Sequence, residues 1–248
     1  MREQTDRRTL AALAREDLGA FATHVFDCWP AAHHELWVEL LTDPRLERLL
    51  IIAPPGHAKS TWCTCIYPAW RIGREPDINI LLVSATAAQA YLFSQTVRET
   101  LRGNPAYAEV FPAVTPDRAR GWSQAAWYVA RAGAANKDAT LAACGVGGPI
   151  VGRRADLILV DDPCNERTTA TKAMRDKLWR WFRQTLLTRL RPGGRVIVIM
   201  TRWGQDDLAA KLIESGDFAV CRLRALSEGP EVAAELTLPR EHDEEEAE

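Results

Sequence analysis

Short apolar runs separated by helical stretches constrain the fold of this chain more than any other feature. The runs are almost continuously apolar, which is typical of strands buried on both faces of a parallel sheet. They occupy Leu49–Ile52, Ile78–Val83, Leu157–Val160, Val196–Met200 and Phe218–Leu223. Helices are predicted over 9–27, 33–41, 87–102, 169–190 (ended by Pro192-Gly193-Gly194) and 205–214. This alternation predicts an α/β fold with a mostly parallel sheet.

The length of 248 residues fits one large domain or two small ones. The formal charge of −2 becomes +3 without residues 239–248, which hold six acids and one arginine. We therefore expect an N-terminal helical segment over 1–45, a core over 46–226, and an acidic flexible tail or linker over 227–248. Residues 103–150 are less regular and are expected to form loops and short antiparallel strands. No apolar run approaches the ~20 residues of a membrane span, and no secretory signal is predicted.

The segment that follows the first apolar run matches a phosphate-binding loop. Residues 53–60 fit the pattern G-x-x-x-x-G-K-[ST], in which the lysine reaches the phosphates and the hydroxyl contacts Mg²⁺. Ala53 and Ala58 stand where the pattern has glycine, and alanine tolerates positive φ less well. An ordinary strand–turn–helix with an exposed lysine is the alternative. The expected nucleotide-binding residues are Pro55, Gly56, His57, Ala58, Lys59, Ser60 and Thr61, with Ser60 also a metal ligand.

A second candidate site follows the third apolar run, which ends in Asp161, Asp162 and Pro163. This is the arrangement of a Walker B motif, in which Asp161 supports the metal ion. Asp162 stands where many ATPases have a glutamate that polarises water, and Glu166 competes for this role because aspartate is one methylene shorter. A strand capped by turn-favouring residues is the plainer interpretation. Two such motifs in the correct order favour an Mg²⁺-dependent ATPase.

Two further strand ends complete the predicted nucleotide site. The strand Ile78–Val83 lies between the two motifs in sequence, as in the NTPase branch where an inserted strand has a catalytic or sensor role. The fourth strand ends at Thr201, which is a candidate γ-phosphate sensor and also a candidate helix N-cap. The predicted fold is therefore a P-loop NTPase with a mostly parallel central sheet and an inserted strand between Walker A and Walker B.

Five segments occur in a fixed order along the chain. They are Pro54–Ser60, Gly145–Arg153, Ala155–Pro163, Leu187–Gly194 and Ile199–Trp203. Together they resemble the ATPase domain of tailed-phage terminase large subunits. The resemblance runs from about residue 33 to about residue 226, and the combination is more specific than the phosphate loop alone.

The resemblance implies a DNA-packaging motor. Such a motor hydrolyses ATP with Mg²⁺ and moves double-stranded DNA into a procapsid in the cytoplasm of the bacterial host. Its implied partners are the portal protein and the small terminase subunit, and it assembles as a homo-oligomeric ring on the portal without a membrane. Full-length members also carry a nuclease domain, and this sequence ends before such a domain. Nuclease activity is therefore not expected from this chain.

The resemblance also suggests roles for residues outside the two motifs. Arg153 matches the arginine after the glycine-rich segment, and in the family this region supplies an arginine finger to the neighbouring subunit's ATP. Arg154 is adjacent and is an alternative, as is a solvent-facing arginine pair. His33 or His34 lies in the region that contacts adenine in the family, where many members have glutamine. Surface histidines on a short helix are nearly as consistent with this pattern.

Residues 167–191 are the predicted DNA contact. Lysines and arginines on one helix face would contact phosphates without reading sequence. Asp176 interrupts this face, and a solvated basic face with tryptophans in the core fits equally well. The candidate DNA-binding residues are Lys172, Arg175, Arg180 and Arg183.

Two other functions remain open from the sequence. A helicase-like, nucleic-acid-stimulated ATPase shares the nucleotide motifs, although Trp203 and the segment 145–153 argue against it. A non-hydrolysing assembly protein that binds nucleotide or none is favoured by Ala58 and Asp162. ATP turnover and strand separation distinguish these alternatives.

Overall fold

The computed structural model describes residues 2–131, 136–224 and 234–240. The strands of this part of the chain are β1 (Arg48–Ile52), β2 (Ile80–Ser84), β3 (Ala126–Trp127), β4 (Leu141–Gly145), β5 (Ala155–Asp161), β6 (Leu190–Met200), β7 (Ala219–Leu223) and β8 (Ala234–Thr237). They form one sheet in the order β3-β4-β2-β5-β6-β1-β7-β8. The six inner strands are parallel, while β3 and β8 pair antiparallel at the two edges. The predicted α/β fold with a mostly parallel sheet is confirmed.

The helices cover both faces of this sheet. They are α1 (Arg2–Glu16), α2 (Leu18–Phe26), α3 (Ala32–Thr42), α4 (Tyr67–Arg74), α5 (Ala87–Gly103), α6 (Pro105–Val110), α7 (Glu166–Thr169), α8 (Lys172–Trp181) and α9 (Leu208–Ser215). Two π-helical turns, Thr61–Ile66 and Phe182–Leu186, and a 3₁₀ turn, Leu187–Arg189, extend them. Within the described residues, no helix combines the length and apolar character needed to cross a bilayer.

The core consists of two apolar layers, one on each face of the sheet. Leu49 and Ile51 of β1 join the layer beneath α1–α6, whereas Leu50 and Ile52 join the layer beneath α8 and α9. Successive side chains of a strand point to opposite faces, and both faces here are covered. This explains why the inner strands read as continuous apolar runs.

Two helix predictions are wrong in detail. The stretch 9–27 is two helices, because the side chain of Asp17 accepts a hydrogen bond from Ala20 N and caps α2. The stretch 169–190 is also divided, and Pro192-Gly193-Gly194 lies inside β6 instead of ending a helix. The β5–β6 register shifts at this point, and Gly193 has a φ of 71°. The turn-favouring residues therefore form an irregularity in a strand.

Two other segments differ from the prediction. Within 103–150 the structure has α6, the antiparallel strand β3 and the parallel strand β4, and β4 belongs to the central sheet. Its sequence, Leu-Ala-Ala-Cys-Gly, is only weakly apolar, so the apolar pattern does not predict a parallel strand there. Within the predicted tail 227–248, Ala234–Thr237 forms β8 and pairs with β7. Residues 227–233 and 241–248 of the tail lie outside the described part.

The order of the strands positions the site. In sequence, β2, β3 and β4 lie between the two nucleotide motifs, but in the sheet β6 separates β1 from β5. Because β1, β6 and β5 are parallel neighbours, their carboxyl ends lie side by side. Residues that follow these three strands therefore share one edge, which is where α/β sheets commonly bind ligands.

Candidate nucleotide site

The loop after β1 contains two residues with left-handed backbone conformation. Gly56 has a φ of 83° and Ala58 a φ of 53°, both in the left-handed region. The left-handed conformation costs an alanine roughly 1–2 kcal/mol. Ala58, which stands where the pattern has glycine, is therefore strained. Ala53 carries no such strain, because it is not among the positive-φ residues and its N–H continues the ladder to Met200 O at 3.2 Å.

Lys59 and Ser60 connect this loop to the end of β5. Lys59 is buried, and its Nζ lies 3.0 Å from Asp162 Oδ2. Ser60 Oγ donates to Asp161 Oδ1 at 3.0 Å. Two segments about a hundred residues apart in sequence thus meet in one cluster, as the motif pair predicts. Thr61, the next residue, is exposed at the start of the π-helical turn.

Asp161 is the most deeply buried acid of this cluster, with 1% of its surface exposed. Burial raises its pKa to about 6, and the charge of Asp162 acts in the same direction. Hydrogen bonds from Thr64 and Ser60 and the charge of Lys59 oppose this rise. The carboxylate is therefore held in a place that disfavours its charged form, which is typical of functional carboxylates.

Asp162 joins the cluster to β6. Its φ of 40° is rare for a residue with a side chain, and its Oδ1 accepts a hydrogen bond from Thr201 N at 2.7 Å. Thr201 Oγ1 in turn lies 3.4 Å from Ala53 O, at the start of the phosphate loop. The predicted sensor residue is therefore in contact with both nucleotide motifs.

Glu166, the competing candidate for orienting water, has a different position. It is the exposed first residue of the short helix α7, which Asn165 caps. Among the described contacts, none joins Glu166 to Lys59, Ser60 or Asp161. The geometry therefore favours Asp162 over Glu166.

The donor set at Ser60 and Asp161 suits magnesium. Mg²⁺ prefers hard oxygen ligands and commonly uses one or two protein groups together with substrate phosphates. A serine hydroxyl can donate its proton to Asp161 and still offer a lone pair to a metal. No group of three or more His, Cys, Asp or Glu side chains in the described ranges forms an all-protein metal site. The residues fit a metal ion that arrives with the nucleotide.

Three histidines lie where α3 approaches the phosphate loop. Ala31 N donates to His34 Nδ1 at 3.1 Å, which leaves His34 Nε2 to donate to His57 O at 3.1 Å. His34 also stacks on Trp62 at 4.8 Å. Both ring nitrogens of His34 are therefore engaged within the chain. His33 stays the candidate for a base contact, and its ring lies 5.3 Å from that of His57. Burial lowers the pKa of both His33 and His34.

The glycine-rich segment places Arg153 and Arg154 differently. Burial raises the pKa of the Cys144 thiol to about 11, and the nearby guanidinium of Arg153 opposes this rise. The guanidinium of Arg153 has no hydrogen bond to another residue among the described contacts. Arg154 is exposed and donates to Thr188 O at 3.0 Å. Arg153 is half-buried and Arg154 is exposed, so burial does not separate the two candidates for the arginine finger.

The candidate DNA residues on and after α8 are not equivalent. Lys172, Arg180 and Arg183 are exposed, and Arg183 lies over the ring of Trp179. Arg175 is instead half-buried, donates to Thr169 O at 2.7 Å and lies 3.7 Å from Asp206. Arg175 is therefore less free than the other three candidates, because its guanidinium lies beside the loop after β6, and its contact with DNA stays a prediction.

Sequence reasoning missed two residues of the site. Asp207, 1% exposed, caps α9 and accepts from Arg202 Nε at 3.0 Å and Trp203 N at 2.8 Å, so it fixes the loop after Thr201. An Asp-Asp pair before an apolar helical pattern was the available signal. Thr64, fully buried, donates to Asp161 Oδ2. Its place within an apolar segment concealed it.

Comparison with known proteins gives one curated relative. No family model matches the chain. The chain is 26% identical over 211 residues to the terminase large subunit of Enterobacteria phage T3, which covers 81% of this chain and 34% of that protein. The chain thus spans about a third of the relative's length. A solved large terminase ATPase domain of Thermus phage P74-26 covers 73% of this chain at 18% identity, with a TM-score of 0.46. The curated match agrees with the ordered motifs: this chain resembles the terminase large subunits.

Proposed function

We propose that this chain is the ATP-hydrolysing motor part of a phage terminase large subunit, which moves double-stranded DNA into a procapsid. The observation that carries the proposal is the single cluster formed by Lys59, Ser60, Asp161, Asp162 and Thr201 at the carboxyl ends of β1, β5 and β6. The portal protein and the small terminase subunit are the proposed partners, in a ring on the portal within the host cytoplasm.

The proposed reaction is attack of water on the γ-phosphate of ATP. Mg²⁺, held by Ser60 and Asp161, would neutralise charge on the phosphate oxygens. Lys59 binds the phosphates, and backbone N–H groups of the phosphate loop do the same at the start of the helix. Asp162 orients the water and accepts its proton, a role supported by its place in the same cluster as Lys59 and Thr201. Thr201 senses the γ-phosphate through the hydrogen bond between its N–H and Asp162.

Two further roles depend on contacts between molecules. Arg153 acts on the ATP of a neighbouring subunit, where a guanidinium stabilises charge on the transferred phosphoryl group. Lys172, Arg180 and Arg183 contact DNA phosphates without reading sequence. Support comes from the exposure of these three residues and from the lack of a described hydrogen bond to the Arg153 guanidinium.

The proposal excludes nuclease activity by the chain tested alone. We expect purified chain to leave plasmid DNA intact in Mg²⁺ or Mn²⁺. Metal-dependent cleavage that disappears in a variant of one specific acid would contradict this part of the proposal.

The test of the proposed function is ATP turnover by purified chain and by Lys59→Ala. Loss of the buried ammonium removes a charge from the phosphate site, so we expect turnover to fall about 100-fold or more and nucleotide binding to weaken. The exposed Lys137 provides a matched control, since Lys137→Ala removes the same charge outside the site. Equal turnover in wild type and Lys59→Ala would refute the assignment. Absence of turnover in wild type, with nucleotide bound, would favour the non-hydrolysing alternative.

A strand-separation assay tests the helicase-like alternative. A packaging motor translocates on duplex DNA and does not need to unwind it. We therefore expect DNA to stimulate ATP turnover without release of a labelled strand from a partial duplex. ATP-dependent strand release that Lys59→Ala abolishes would replace the packaging function with the helicase-like one.

A further inference from the structure

The carboxylate of Asp161 receives one hydroxyl donor on each oxygen. Ser60 Oγ donates to Oδ1 at 3.0 Å, and Thr64 Oγ1 donates to Oδ2. Ser60 belongs to the phosphate loop and has a proposed role at the metal. Thr64 belongs to no nucleotide motif, yet it makes the same kind of contact with the same carboxylate.

The helix after the phosphate loop brings both hydroxyls to β5. Residues four apart lie on the same face of a helix, which places Thr64 beneath Ser60. The helix passes this point as a π-helical turn, Thr61–Ile66, in which Tyr67 N–H bonds to Trp62 O. π-helical turns are rare and are often found at functional sites. The local geometry therefore aims Thr64 at Asp161.

Packing alone does not account for a hydroxyl at position 64. Thr64 is fully buried and lies between Cys63 and Cys65, which are also buried. A buried hydroxyl is unfavourable unless it finds a hydrogen-bond partner, and valine has nearly the same shape without this cost. The only hydrogen bond described for Thr64 Oγ1 goes to Asp161. The hydroxyl thus serves the carboxylate.

We propose that Thr64 is a positioning residue, which holds Asp161 Oδ2 so that Oδ1 stays beside Ser60, where Mg²⁺ would be bound. The inference rests on the proposed function, since it assigns Asp161 to the metal that accompanies the nucleotide. Groups that orient metal ligands commonly change metal affinity by about 10-fold or more when they are removed. Thr64 therefore sets how strongly nucleotide binding depends on Mg²⁺.

Three variants separate this role from general stability. Thr64→Val removes the hydroxyl and keeps the shape, while Thr64→Ser keeps the hydroxyl. Thr140→Val is the matched control, because Thr140 is equally buried and its Oγ1 accepts from Val129 N and Arg131 Nη2 at the opposite edge of the sheet. Thermal unfolding and circular dichroism establish that each variant is folded.

The measurement is binding of a fluorescent ADP analogue with Mg²⁺ and with EDTA, which needs no hydrolysis. We expect Thr64→Val to raise the Mg²⁺ concentration required for half-maximal enhancement of binding about 10-fold, with binding in EDTA unchanged. Thr64→Ser and Thr140→Val should match wild type in both conditions.

Each contrary outcome has a distinct meaning. If folded Thr64→Val has the Mg²⁺ dependence of wild type, or if Thr64→Ser is as defective as Thr64→Val, Thr64 does not position Asp161. If wild type itself binds the analogue with no dependence on Mg²⁺, the metal site of the proposed function fails first. If Thr140→Val raises the required Mg²⁺ concentration as much as Thr64→Val does, the effect belongs to stability and Thr64 does not position Asp161.

Discussion

The two ends of β5 carry the same residue type in opposite surroundings. At the amino end, Asp156 accepts two hydrogen bonds of 2.9 Å from Arg191 Nη1 and one of 2.8 Å from Asn79 N. At the carboxyl end, the more deeply buried Asp161 accepts from two neutral hydroxyls and makes no ion pair among the described contacts. The ion pair with Arg191 stabilises the charged form of Asp156. Burial without an ion pair destabilises the charged form of Asp161.

The backbone shows the same contrast. Only three non-glycine residues of the described ranges have positive φ, and two of them, Ala58 and Asp162, lie at the carboxyl edge. At the amino edge, Asn79 donates to Ala139 O at 2.8 Å and Arg131 donates to Ile78 O at 2.6 Å, so side chains there satisfy loop carbonyls. Strain concentrated at one edge is typical of functional sites, which keep unfavourable geometry that the surrounding structure must offset.

The largest expected effect tests whether the carboxyl edge is complete within one molecule. If Arg153 acts on a neighbour's ATP, Arg153→Ala should lower turnover about 10³-fold in an assembled ring. Lys59→Ala retains an intact finger, so mixing the two variants should restore part of the turnover. Activity should also rise more steeply than linearly with protein concentration. Normal turnover by Arg153→Ala in the ring would remove the assignment, and loss in Arg154→Ala alone would move it by one residue.

The second effect is a pH dependence of stability at the carboxyl edge. Because the pKa of Asp161 is raised to about 6, the folded chain binds its proton more tightly than the unfolded chain does. The contribution of Asp161 to the free energy of unfolding is therefore full below about pH 4. This contribution is lost as the pH rises through about 6, and the loss is roughly 3 kcal/mol at most. Urea unfolding of wild type and Asp161→Asn in EDTA isolates this change as their difference. A difference that does not vary with pH would contradict the raised pKa.

The third effect is loss of stability at the amino edge without loss of function. Arg191→Met leaves Asp156 and Asp138 without their guanidinium partner, and we expect the free energy of unfolding to fall by about 2 kcal/mol. ATP turnover per folded molecule should be unchanged. Arg118→Met, at an exposed arginine, should change stability by less than about 0.5 kcal/mol. A greater loss of turnover than of folded protein would assign the amino edge a part in the reaction.

The smallest effect concerns the strain at Ala58. Glycine adopts positive φ without strain but loses more conformational entropy on folding, so Ala58→Gly should stabilise the chain by at most about 1 kcal/mol. Ala12→Gly, at an exposed position inside α1, should destabilise it by about 1 kcal/mol. Chemical denaturation of both variants measures whether each substitution raises or lowers the free energy of unfolding. Equal destabilisation by both would show that Ala58 is not strained.

The sequence predicted which residues cluster at the carboxyl edge, because these residues are local to two motifs. The apolar runs of β1, β5 and β6 are buried on both faces, and the short spacing between each strand and Lys59, Asp161 or Thr201 leaves little freedom. The amino edge was not predicted. Its residues come from four distant positions, and nothing in the pattern before Arg191 or Asp156 indicates that they meet.

The errors have physical causes of the same kind. The helix over 169–190 was extended because helical periodicity continues through the π-helical turn Phe182–Leu186, which ends the regular helix without a proline or glycine. Residue spacing gives the direction of the Arg175 side chain on the helix but does not reveal its contact with Asp206. The contact between Arg175 and Asp206 joins residues far apart in sequence, and a single sequence does not contain it.

The most direct test of the contrast is one substitution made at both ends of β5. The free energy of unfolding of Asp161→Asn and Asp156→Asn is measured with urea at pH 7 in metal-free buffer. The account predicts that Asp161→Asn raises it by about 1–2 kcal/mol, because the buried charge is removed, while Asp156→Asn lowers it by about 2 kcal/mol, because Arg191 loses its partner. Equal losses of unfolding free energy in the two variants would contradict the claim that the buried charge of Asp161 destabilises the folded chain.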